Sequence, residues 1–522
     1  MKITLIRPPR LLKLYNKSLF PAAPLGLAFI ASALEESGHE VTVIDAIAEN
    51  SRQTAIFKEN IVLNGLSNEE IISRIPVDTE LVGLSCMFTQ DWLNSRKLIN
   101  EIGEAFPAAS IIAGGEHITA LPEFSLSQCP ALKACIVGEG EDTVIELCNA
   151  LMQKTDLASV QGIAYHNSEG TILKTERRKR IRELDDIKTP AWHLFPVEAY
   201  FEEGLFMAVG LKRSLPILTT RGCPYTCTFC SSPNMWGTRY FMRDTTKVVD
   251  EIEQLIKTYN VDGVELFDLT AVISANWIIE FAKELIKRDL KITWQLPAGT
   301  RSEAITEEVV HYMKLSGCTV LSYAPESGSE EILQLIKKKV SIPHMLKAVS
   351  YSNKEKLIVK VMFIIGLPHE KHKHIWQTML FMVKCSWYGA YDMVVSPFYP
   401  YPGSALFNSI VAEGKIDLNT EAYYHKLLNA QNLFGIEFFN KNLSKYWLRF
   451  YFLLYILTFY SSNYLFRPVR FIRTAINISR KTPQTRGEHT VIALINQYSG
   501  LARKAIRFKS NTAVPASPSS AL

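Results

Sequence analysis

Cysteine is scarce in this sequence and unevenly placed. Only nine cysteines occur in 522 residues, and three of them fall within positions 223–230. Nine is too few for a disulfide-stapled fold, so the distribution predicts a reducing compartment and a metal site. The first ten residues, MKITLIRPPR, reach polar residues too soon for a signal peptide. We therefore expect a cytoplasmic protein.

The sequence also has little low-complexity character and no long apolar run. Hydrophobic residues make up 47% and charged residues 21% of the chain, which excludes a disordered or fibrous protein and predicts two to four globular domains. The run from Phe450 to Phe466 holds 17 uncharged residues, short of the roughly 20 that a spanning helix needs. Only residues 511–522 have the composition of a disordered tail.

Acidic residues are nearly absent from the C-terminal part of the chain. Residues 445–522 contain twelve Lys or Arg and one acid, Glu488, whereas the whole chain has 57 basic and 52 acidic residues. The remainder is therefore acidic, with a net charge of −6. A basic tail binds nucleic acid, binds an anionic membrane or stays solvated. No recognition module accompanies the charge, so we expect no nucleic-acid partner.

Residues 1–150 alternate strand-like and helix-like segments. Near-continuous apolar strands separated by helices predict an α/β domain with a doubly wound, Rossmann-like parallel sheet. Ser67 and Glu70 form a capping-box pattern ahead of a short helix. Ligands of such sheets bind at the carboxyl ends of the strands. Small residues collect there, at Gly83, Ser85, Gly114, Gly115, Gly138 and Gly140.

A second alternation of strands and helices follows a polar stretch. Residues 151–213 read as a linker with a hairpin pattern, GIAYHNSEGTILK, and a basic patch at 177–180. Residues 214–430 contain six strand–helix units, too few for a closed eightfold barrel, and predict a partial (β/α)6 TIM-like barrel with its site at the strand carboxyl ends. Residues 431–510 predict a basic, aromatic-rich helical region.

The three clustered cysteines stand in the segment TTRGCPYTCTFCSS. Cys223, Cys227 and Cys230 have the spacing C-x3-C-x2-C and follow the first strand of the second domain. Three soft thiolates on one loop suit an iron–sulfur cluster or zinc. Zinc would need a fourth ligand, and no Cys or His lies between Cys230 and the next strand. The spacing therefore favours a cluster with one open iron.

This cysteine motif resembles that of the radical S-adenosylmethionine (radical SAM) superfamily. The resemblance implies that the three cysteines hold a 4Fe–4S cluster, with Phe229 near the adenine of SAM. In that superfamily the cluster chelates SAM and cleaves it reductively to methionine and a 5′-deoxyadenosyl radical. The remaining six cysteines lie in apolar contexts and lack the spacing of a second cluster.

Three further segments carry the resemblance. GVELFDL (263–269) is similar to the second-strand motif near the SAM amino group and offers Asp268. APESGSEEIL places Glu326 where the superfamily contacts SAM, although an acid that begins a helix is an ordinary alternative. FIIGLPHE (363–370) resembles the adenine-binding element at Gly366, but Met362 replaces its first glycine and Glu370 falls one position late.

Residues 1–150 resemble the cobalamin-binding domain that precedes the radical SAM core in one large subclass. The segments that match are RPP (7–9), PLGLAFIASALEESGHEV (24–41), VGLSCMFT (82–89), AGGEHITALPE (113–123) and VGEGEDTVIEL (137–147). A histidine cobalt-binding motif, Asp-x-His-x-x-Gly, does not occur, nor does the dinucleotide motif G-x-G-x-x-G after the first strand. The resemblance implies cobalamin contacts from the small residues named above and from His117 and Glu139.

The resemblance implies a cobalamin-dependent radical SAM methyltransferase acting on an unactivated carbon through a 5′-deoxyadenosyl radical and methylcobalamin. Alternatives are a radical oxidation, cyclisation or ring contraction without methyl transfer, and a corrin or SAM sensor without turnover. No catalytic residue is identified. The implied partners are a small-molecule or lipid-like substrate and an electron donor such as flavodoxin or ferredoxin.

The aromatic-rich segment 446–475 has two interpretations. One is a helix packed on the barrel with solvated arginines. The other is an interfacial helix at the inner face of the membrane, with Arg467, Arg470 and Arg473 on lipid phosphates.

Overall fold

The computed structural model describes residues 1–14, 21–428, 439–485, 487–492 and 495. The fold is mixed α/β, with two large sheets that are wholly or mostly parallel. The tail predicted at 511–522 and parts of the helical region predicted at 431–510 lie outside the described residues.

The described part of the chain forms eighteen strands. They are β1 Lys2–Arg7, β2 Arg10–Lys13, β3 Glu40–Asp45, β4 Thr54–Lys58, β5 Ile61–Asn64, β6 Leu81–Ser85, β7 Ser110–Gly114, β8 Leu132–Ile136, β9 Ile163–His166, β10 Ile172–Lys174, β11 Ser214–Ile217, β12 Thr220–Arg221, β13 Phe241–Met242, β14 Gly263–Leu266, β15 Thr293–Thr300, β16 Cys318–Glu326, β17 Ile358–Ile365 and β18 Asp392–Pro397.

Eighteen α-helices occur in the same described residues. They are α1 Leu25–Glu36, α2 Asn68–Arg74, α3 Trp92–Ala105, α4 Glu116–Ala120, α5 Pro122–Gln128, α6 Glu141–Gln153, α7 Val197–Glu202, α8 Ser232–Trp236, α9 Thr245–Tyr259, α10 Ala275–Lys287, α11 Glu307–Leu315, α12 Glu330–Leu335, α13 Ile342–Lys354, α14 His372–Tyr388, α15 Ala405–Ala412, α16 Glu421–Leu428, α17 Lys445–Phe466 and α18 Pro468–Arg480.

The first sheet has seven strands in the order β10-β9-β8-β7-β6-β1-β3. Strands β3, β1, β6, β7 and β8 pair in parallel, whereas β9 and β10 add an antiparallel hairpin at the β8 edge. The hairpin confirms the GIAYHNSEGTILK pattern, but it corrects the interpretation of 151–213 as a linker. Short strands of that stretch belong to the first sheet because β8 would otherwise leave an unpaired edge.

The second sheet is entirely parallel, and its order β11-β14-β15-β16-β17-β18 follows the chain. Helices α9 and α10 each begin at a side chain that caps the first turn. Asp244 accepts hydrogen bonds from the N–H groups of Thr246 and Lys247, and Ser274 accepts one from Trp277. Capped starts make these boundaries local properties of the sequence.

Helix α17 covers one side of the second unit. It buries Leu448, Tyr451, Tyr455 and Phe459 along one face, and the Tyr455 hydroxyl donates to the Ile375 carbonyl of α14 at 3.4 Å. Of the helices in the described residues, none has the length and apolarity to cross a membrane.

Two of the three arginines predicted to contact lipid have another role. Arg467 donates to the carbonyls of Ser386 and Trp387, at 2.5 and 2.8 Å. Arg470 donates to those of Gly389 and Ala390, at 3.0 and 2.8 Å. The carbonyls at a helix C-terminus lack partners in the helix and carry partial negative charge. These arginines therefore cap α14, a role that differs from both sequence-based alternatives, solvated arginines and arginines on lipid phosphates.

Candidate functional site

The three clustered cysteines lie on the loop between β12 and α8. Thr228 fixes the middle of this loop, since its N–H donates to the Ile336 carbonyl at 3.0 Å and its carbonyl accepts from Leu406 at 2.9 Å. Gly222, just before the first cysteine, has a φ of +94°, and a Cβ there would come within 2.1 Å of the Arg239 carbonyl oxygen. Only glycine fits that turn.

Asp268 supports the start of the loop. Its buried carboxylate accepts from the Thr219 N–H at 2.9 Å, the Thr219 hydroxyl at 2.6 Å and the Thr220 N–H at 2.6 Å. Burial raises the pKa of Asp268 to about 6, although these hydrogen bonds oppose the rise. Asp268, a predicted SAM contact, therefore holds the backbone in place up to Thr220, three residues before Cys223.

Cys223, Cys227 and Cys230 are partly exposed, whereas the other six cysteines are buried. Burial raises the pKa of Cys223 and Cys227, and nearby Arg301 and Lys338 oppose that rise. In the described residues, no three His, Cys, Asp or Glu side chains converge closely enough to hold one metal ion. A four-iron cluster uses each thiolate on a different iron, and the three partly exposed thiols of this loop supply that donor set.

The structure adds two cations that the sequence analysis missed. Arg301, at the end of β15, stacks over the Tyr225 ring of the cysteine loop at 3.6 Å and bonds Glu303 at 2.9 and 3.1 Å. Lys338 pairs with Glu326 at 2.9 Å. Neither residue lies in a recognisable motif, and only the fold brings them near the thiols. Together they offset the negative charge of thiolates.

Glu326 has a backbone conformation that side chains rarely adopt. Its φ of +67° lies in the left-handed region, at an irregularity in the pairing of β16 with β17. Such a conformation costs on the order of 1 kcal/mol in a non-glycine residue and clusters at functional sites. Glu326 thus stands at the carboxyl edge where the sequence predicts a SAM contact, held by Lys338.

Gly366 and Glu370 form a closed turn after β17. Glu370 is fully buried and accepts from the N–H groups of Gly366 and Leu367 at 2.6 and 3.2 Å. Burial raises the pKa of Glu370 to about 8, against these two hydrogen bonds. Phe229, the predicted adenine neighbour, is half-buried against an apolar cluster.

The Glu370 pKa predicts a pH-dependent stability. Its folded pKa lies above the ordinary value of 4.5, so the free energy of unfolding falls as pH rises from about 4.5 through about 8. Glu370→Gln keeps an acceptor for both N–H groups but does not titrate. Only the wild type loses this part of its stability as pH rises. We therefore expect the Tm of the variant relative to that of the wild type to increase from about pH 5 to about pH 9. Parallel Tm profiles from calorimetry would contradict this.

Small residues of the first domain gather at one sheet edge, as the sequence predicts. Ser85 pairs with Gly114 at the carboxyl ends of β6 and β7. Gly115 follows with a φ of +111°, and a Cβ there would come within 2.7 Å of the Cys86 carbonyl oxygen. Gly83 lies inside β6 rather than at its end. Gly138 and Gly140 flank Glu139 between β8 and α6.

His117 lies beneath this edge. Its imidazole is 1% exposed, its Nδ1 bonds the Thr89 hydroxyl at 3.0 Å, and its ring lies 4.5 Å from that of Trp92. Burial lowers the pKa of His117 to about 3. The side chain therefore supports the edge as a neutral, packed group.

Two exposed apolar residues at the same edge were not singled out from the sequence. Met87 and Phe88 follow β6 and are 46% and 58% exposed. Exposed apolar side chains beside open glycine backbone suit a flat, largely apolar ring such as a corrin. The edge therefore fits a corrin such as cobalamin.

Glu139 belongs to a buried network between the two units. Its Oε2 accepts from Arg180 at 2.8 Å and its Oε1 from Arg221 at 3.2 Å, while Glu141 bonds Arg221 at 2.5 Å. Arg221 immediately precedes Gly222 and the first cysteine. Both oxygens of Glu139, a predicted cobalamin contact, are thus used by the protein itself. We call Glu139, Glu141, Arg180 and Arg221 the interdomain network.

The basic patch predicted in the linker contacts helix α8, which follows the cysteine loop. Arg177 donates to the carbonyls of Asn234 and Met235, the latter at 2.6 Å. Arg180 lies over the Trp236 ring at 5.3 Å. Thr119 of α4 accepts from the Asn234 amide at 3.5 Å. The glycine-rich edge of the first sheet therefore faces the segment that follows the three cysteines.

Two family models match this chain. Residues 13–148 match the model of the B12 binding domain, and residues 217–382 match that of the radical SAM superfamily. The first match covers the glycine-rich edge, and the second covers the cysteine loop and the carboxyl ends of β14 to β17.

Several curated proteins resemble most of the chain. The uncharacterized methyltransferase PH0819 of Pyrococcus horikoshii is 29% identical over 86% of this chain and 92% of its own length. The cytidylyl-2-hydroxyethylphosphonate methyltransferase of Streptomyces wedmorensis is 29% identical over 66% of this chain and 69% of its own length. The anaerobic magnesium-protoporphyrin IX monomethyl ester cyclase of Rubrivivax gelatinosus is 28% identical over 74% and 66%.

Solved structures share the fold. The methyltransferase TsrM of Kitasatospora setae, with cobalamin and a [4Fe-4S] cluster bound, has a TM-score of 0.60 and 19% identity, covering 79% of this chain and 78% of its own. OxsB, with aqua-cobalamin and S-adenosylmethionine bound, has a TM-score of 0.64 and 15% identity, covering 98% and 80%. At these identities the likeness concerns the fold alone.

Proposed function

The chain is a radical SAM protein with a B12-binding domain ahead of its radical SAM domain, and from this premise we propose that it is a cobalamin-dependent radical SAM methyltransferase. The observation that carries the proposal is that the glycine-rich edge of the first sheet faces the cysteine-bearing region of the second unit. The glycine-rich edge of the first sheet meets the segment that follows the cysteine loop, where the Thr119 carbonyl accepts from the Asn234 amide at 3.5 Å. Glu116 of the same edge lies near Ser231, beside Cys230. A substrate held there contacts both cofactors.

When bound, the reduced cluster supplies the electron that cleaves SAM, and the corrin supplies the methyl carrier. Cys223, Cys227 and Cys230 would hold the cluster. Arg301 and Lys338 lie near these thiols and would offset the negative charge of the thiolates. Other SAM contacts would come from Phe229, Glu326 and Gly366, at the carboxyl ends of parallel strands or on the loop beside them.

For cobalamin we propose the backbone of Ser85, Gly114, Gly115, Gly138 and Gly140, with Met87 and Phe88 against the ring. Gly83 and His117 support this edge from within, and Glu139 orients the cysteine loop. On this proposal the first sheet is a Rossmann-like cobalamin domain and the second a partial (β/α)6 barrel.

A second candidate is a radical oxidation, cyclisation or ring contraction without methyl transfer, favoured by the resemblance to the cyclase of Rubrivivax gelatinosus. A third candidate is a corrin or SAM sensor without turnover. For the proposed reaction the partners are a small-molecule or lipid-like substrate and an electron donor of the flavodoxin or ferredoxin type.

Product analysis separates these functions. The protein is reconstituted anaerobically with iron, sulfide and cobalamin, mixed with SAM and a strong reductant, and assayed by mass spectrometry. We expect both 5′-deoxyadenosine and S-adenosylhomocysteine, the latter only when cobalamin is present. Deoxyadenosine alone would favour the second candidate. Neither product, from protein with a full complement of cluster iron, would favour the sensor.

A further inference from the structure

Helix α18 is amphipathic, and part of its polar face is turned inward. Asn477 is buried and bonds Glu488 at 3.1 Å, and Arg470 bonds Asn353 at 3.0 Å. The opposite face exposes apolar side chains by 42–67%, at Val469, Phe471, Ile472 and Ile476. An ordinary surface helix buries its apolar face and exposes its polar one. The reversal shows that the outward side of α18 is not adapted to water.

Helix α17 continues this apolar surface. The face opposite its packed side exposes apolar residues by 50–77%, at Phe450, Leu453, Leu457 and Leu465. These residues recur three, four and eight positions apart and so form one stripe. No charged residue occurs between Phe450 and Phe466 to interrupt it.

Helix α14 lies beside α17 and adds exposed tryptophans. Trp376 and Trp387 are 57% and 62% exposed. The Trp387 ring lies 5.0 Å from that of Phe466. Tryptophan is enriched where protein meets the boundary between lipid headgroups and acyl chains. We call the exposed faces of α14, α17 and α18 the apolar surface. Contiguous exposed apolar surface of this kind marks an interaction site.

The charged residues of α17 and α18 are all basic. Lys445, Arg473 and Arg480 are exposed. The one acid of residues 445–522, Glu488, is 3% exposed. A second copy of this chain would bring these like charges together, which opposes self-association. An anionic bilayer complements them and receives the apolar side chains as well.

We infer that the apolar surface docks the protein on an anionic phospholipid bilayer. The helices lie in the plane of the interface, because α17 and α18 are each held to the protein along one face. The exposed basic residues meet lipid phosphates, while Arg467 and Arg470 stay in their capping role. This inference does not rest on the proposed reaction, and its failure would leave that reaction untouched.

Flotation of the full chain with vesicles tests the inference. Phosphatidylcholine vesicles, with or without about one third phosphatidylglycerol, are mixed with the protein at low and at high salt. We expect binding to anionic vesicles to be about tenfold tighter than to neutral ones, and to weaken at high salt. Absence of binding to anionic vesicles would overturn the inference.

Matched variants locate the contact. Leu457→Glu with Ile472→Glu places acids at two exposed positions, so we expect an unchanged fold by circular dichroism and about tenfold weaker binding. Val77→Glu, at a side chain 93% exposed on the first domain, should bind as the wild type does. Undiminished binding of the double variant would place the contact elsewhere, and equal loss in both variants would show that added negative charge at any position weakens binding. A different result would assign the surface to a second copy of this chain: the wild type forms a dimer and does not bind vesicles, and the double variant is a monomer.

Discussion

Replacing Cys227 with alanine is expected to abolish both cluster binding and SAM cleavage. The three thiols of the C-x3-C-x2-C loop are the partly exposed cysteines of the chain. Each is expected to bind one iron of the cluster, so the two thiols left in the variant would leave one of those irons without its protein ligand. Loss of the cluster removes the electron source, so 5′-deoxyadenosine should fall to the level without reductant. Iron content and the electron paramagnetic resonance signal of the reduced protein measure the first effect, and mass spectrometry measures the second.

Cys148→Ala is the matched control for this variant. Cys148 is buried in the first domain, and burial raises the pKa of its thiol to about 11, so it is a structural group. We expect it to cost about 1 kcal/mol of stability and to leave the iron content unchanged. Retention of the cluster signal in Cys227→Ala, or its loss in Cys148→Ala, would refute the assignment of the cluster loop.

Glu139→Ala is expected to destabilise the protein by about 3–5 kcal/mol, because removing one partner of a buried ion pair leaves charge uncompensated. Arg221 is buried, and its Nη1 lies 3.2 Å from the Glu139 carboxylate. Burial alone would lower the pKa of Arg221, but the carboxylates of Glu141 and Glu139 outweigh burial and raise it. Urea unfolding of the apoprotein measures the loss without any cofactor.

The effect should reach the cysteine loop, since Arg221 adjoins Gly222 and Cys223. We expect faster proteolysis between the two units and a broader signal from the reduced cluster. Glu146→Ala removes a carboxylate that pairs with Arg178 at the surface, where Glu146 is 47% exposed. That control should cost at most about 1 kcal/mol. Equal losses for both variants would show that the interdomain network does not stabilise the fold.

Local patterns predicted most of the regular structure. The boundaries of α9 and α10 follow from side-chain caps next to an apolar period, and the Ser67–Glu70 capping box is present. The strands of both sheets were predicted because buried parallel strands are continuous apolar runs. The small sheet of β2, β5 and β4 was not predicted, since its short strands carry no such run.

The cysteine spacing and the glycines at strand ends are also determined by the sequence alone, because the chemistry of a thiolate or of bare backbone does not depend on distant neighbours. The functions of the arginines were decided by the tertiary structure. Arg177, Arg180 and Arg221 read as linker or strand residues, yet they join the first domain to the cysteine loop. Arg467 and Arg470 were expected either to be solvated or to contact lipid, yet they cap a helix. A long cationic side chain takes whichever carbonyl or carboxylate the fold brings within reach, and only the fold determines which one that is.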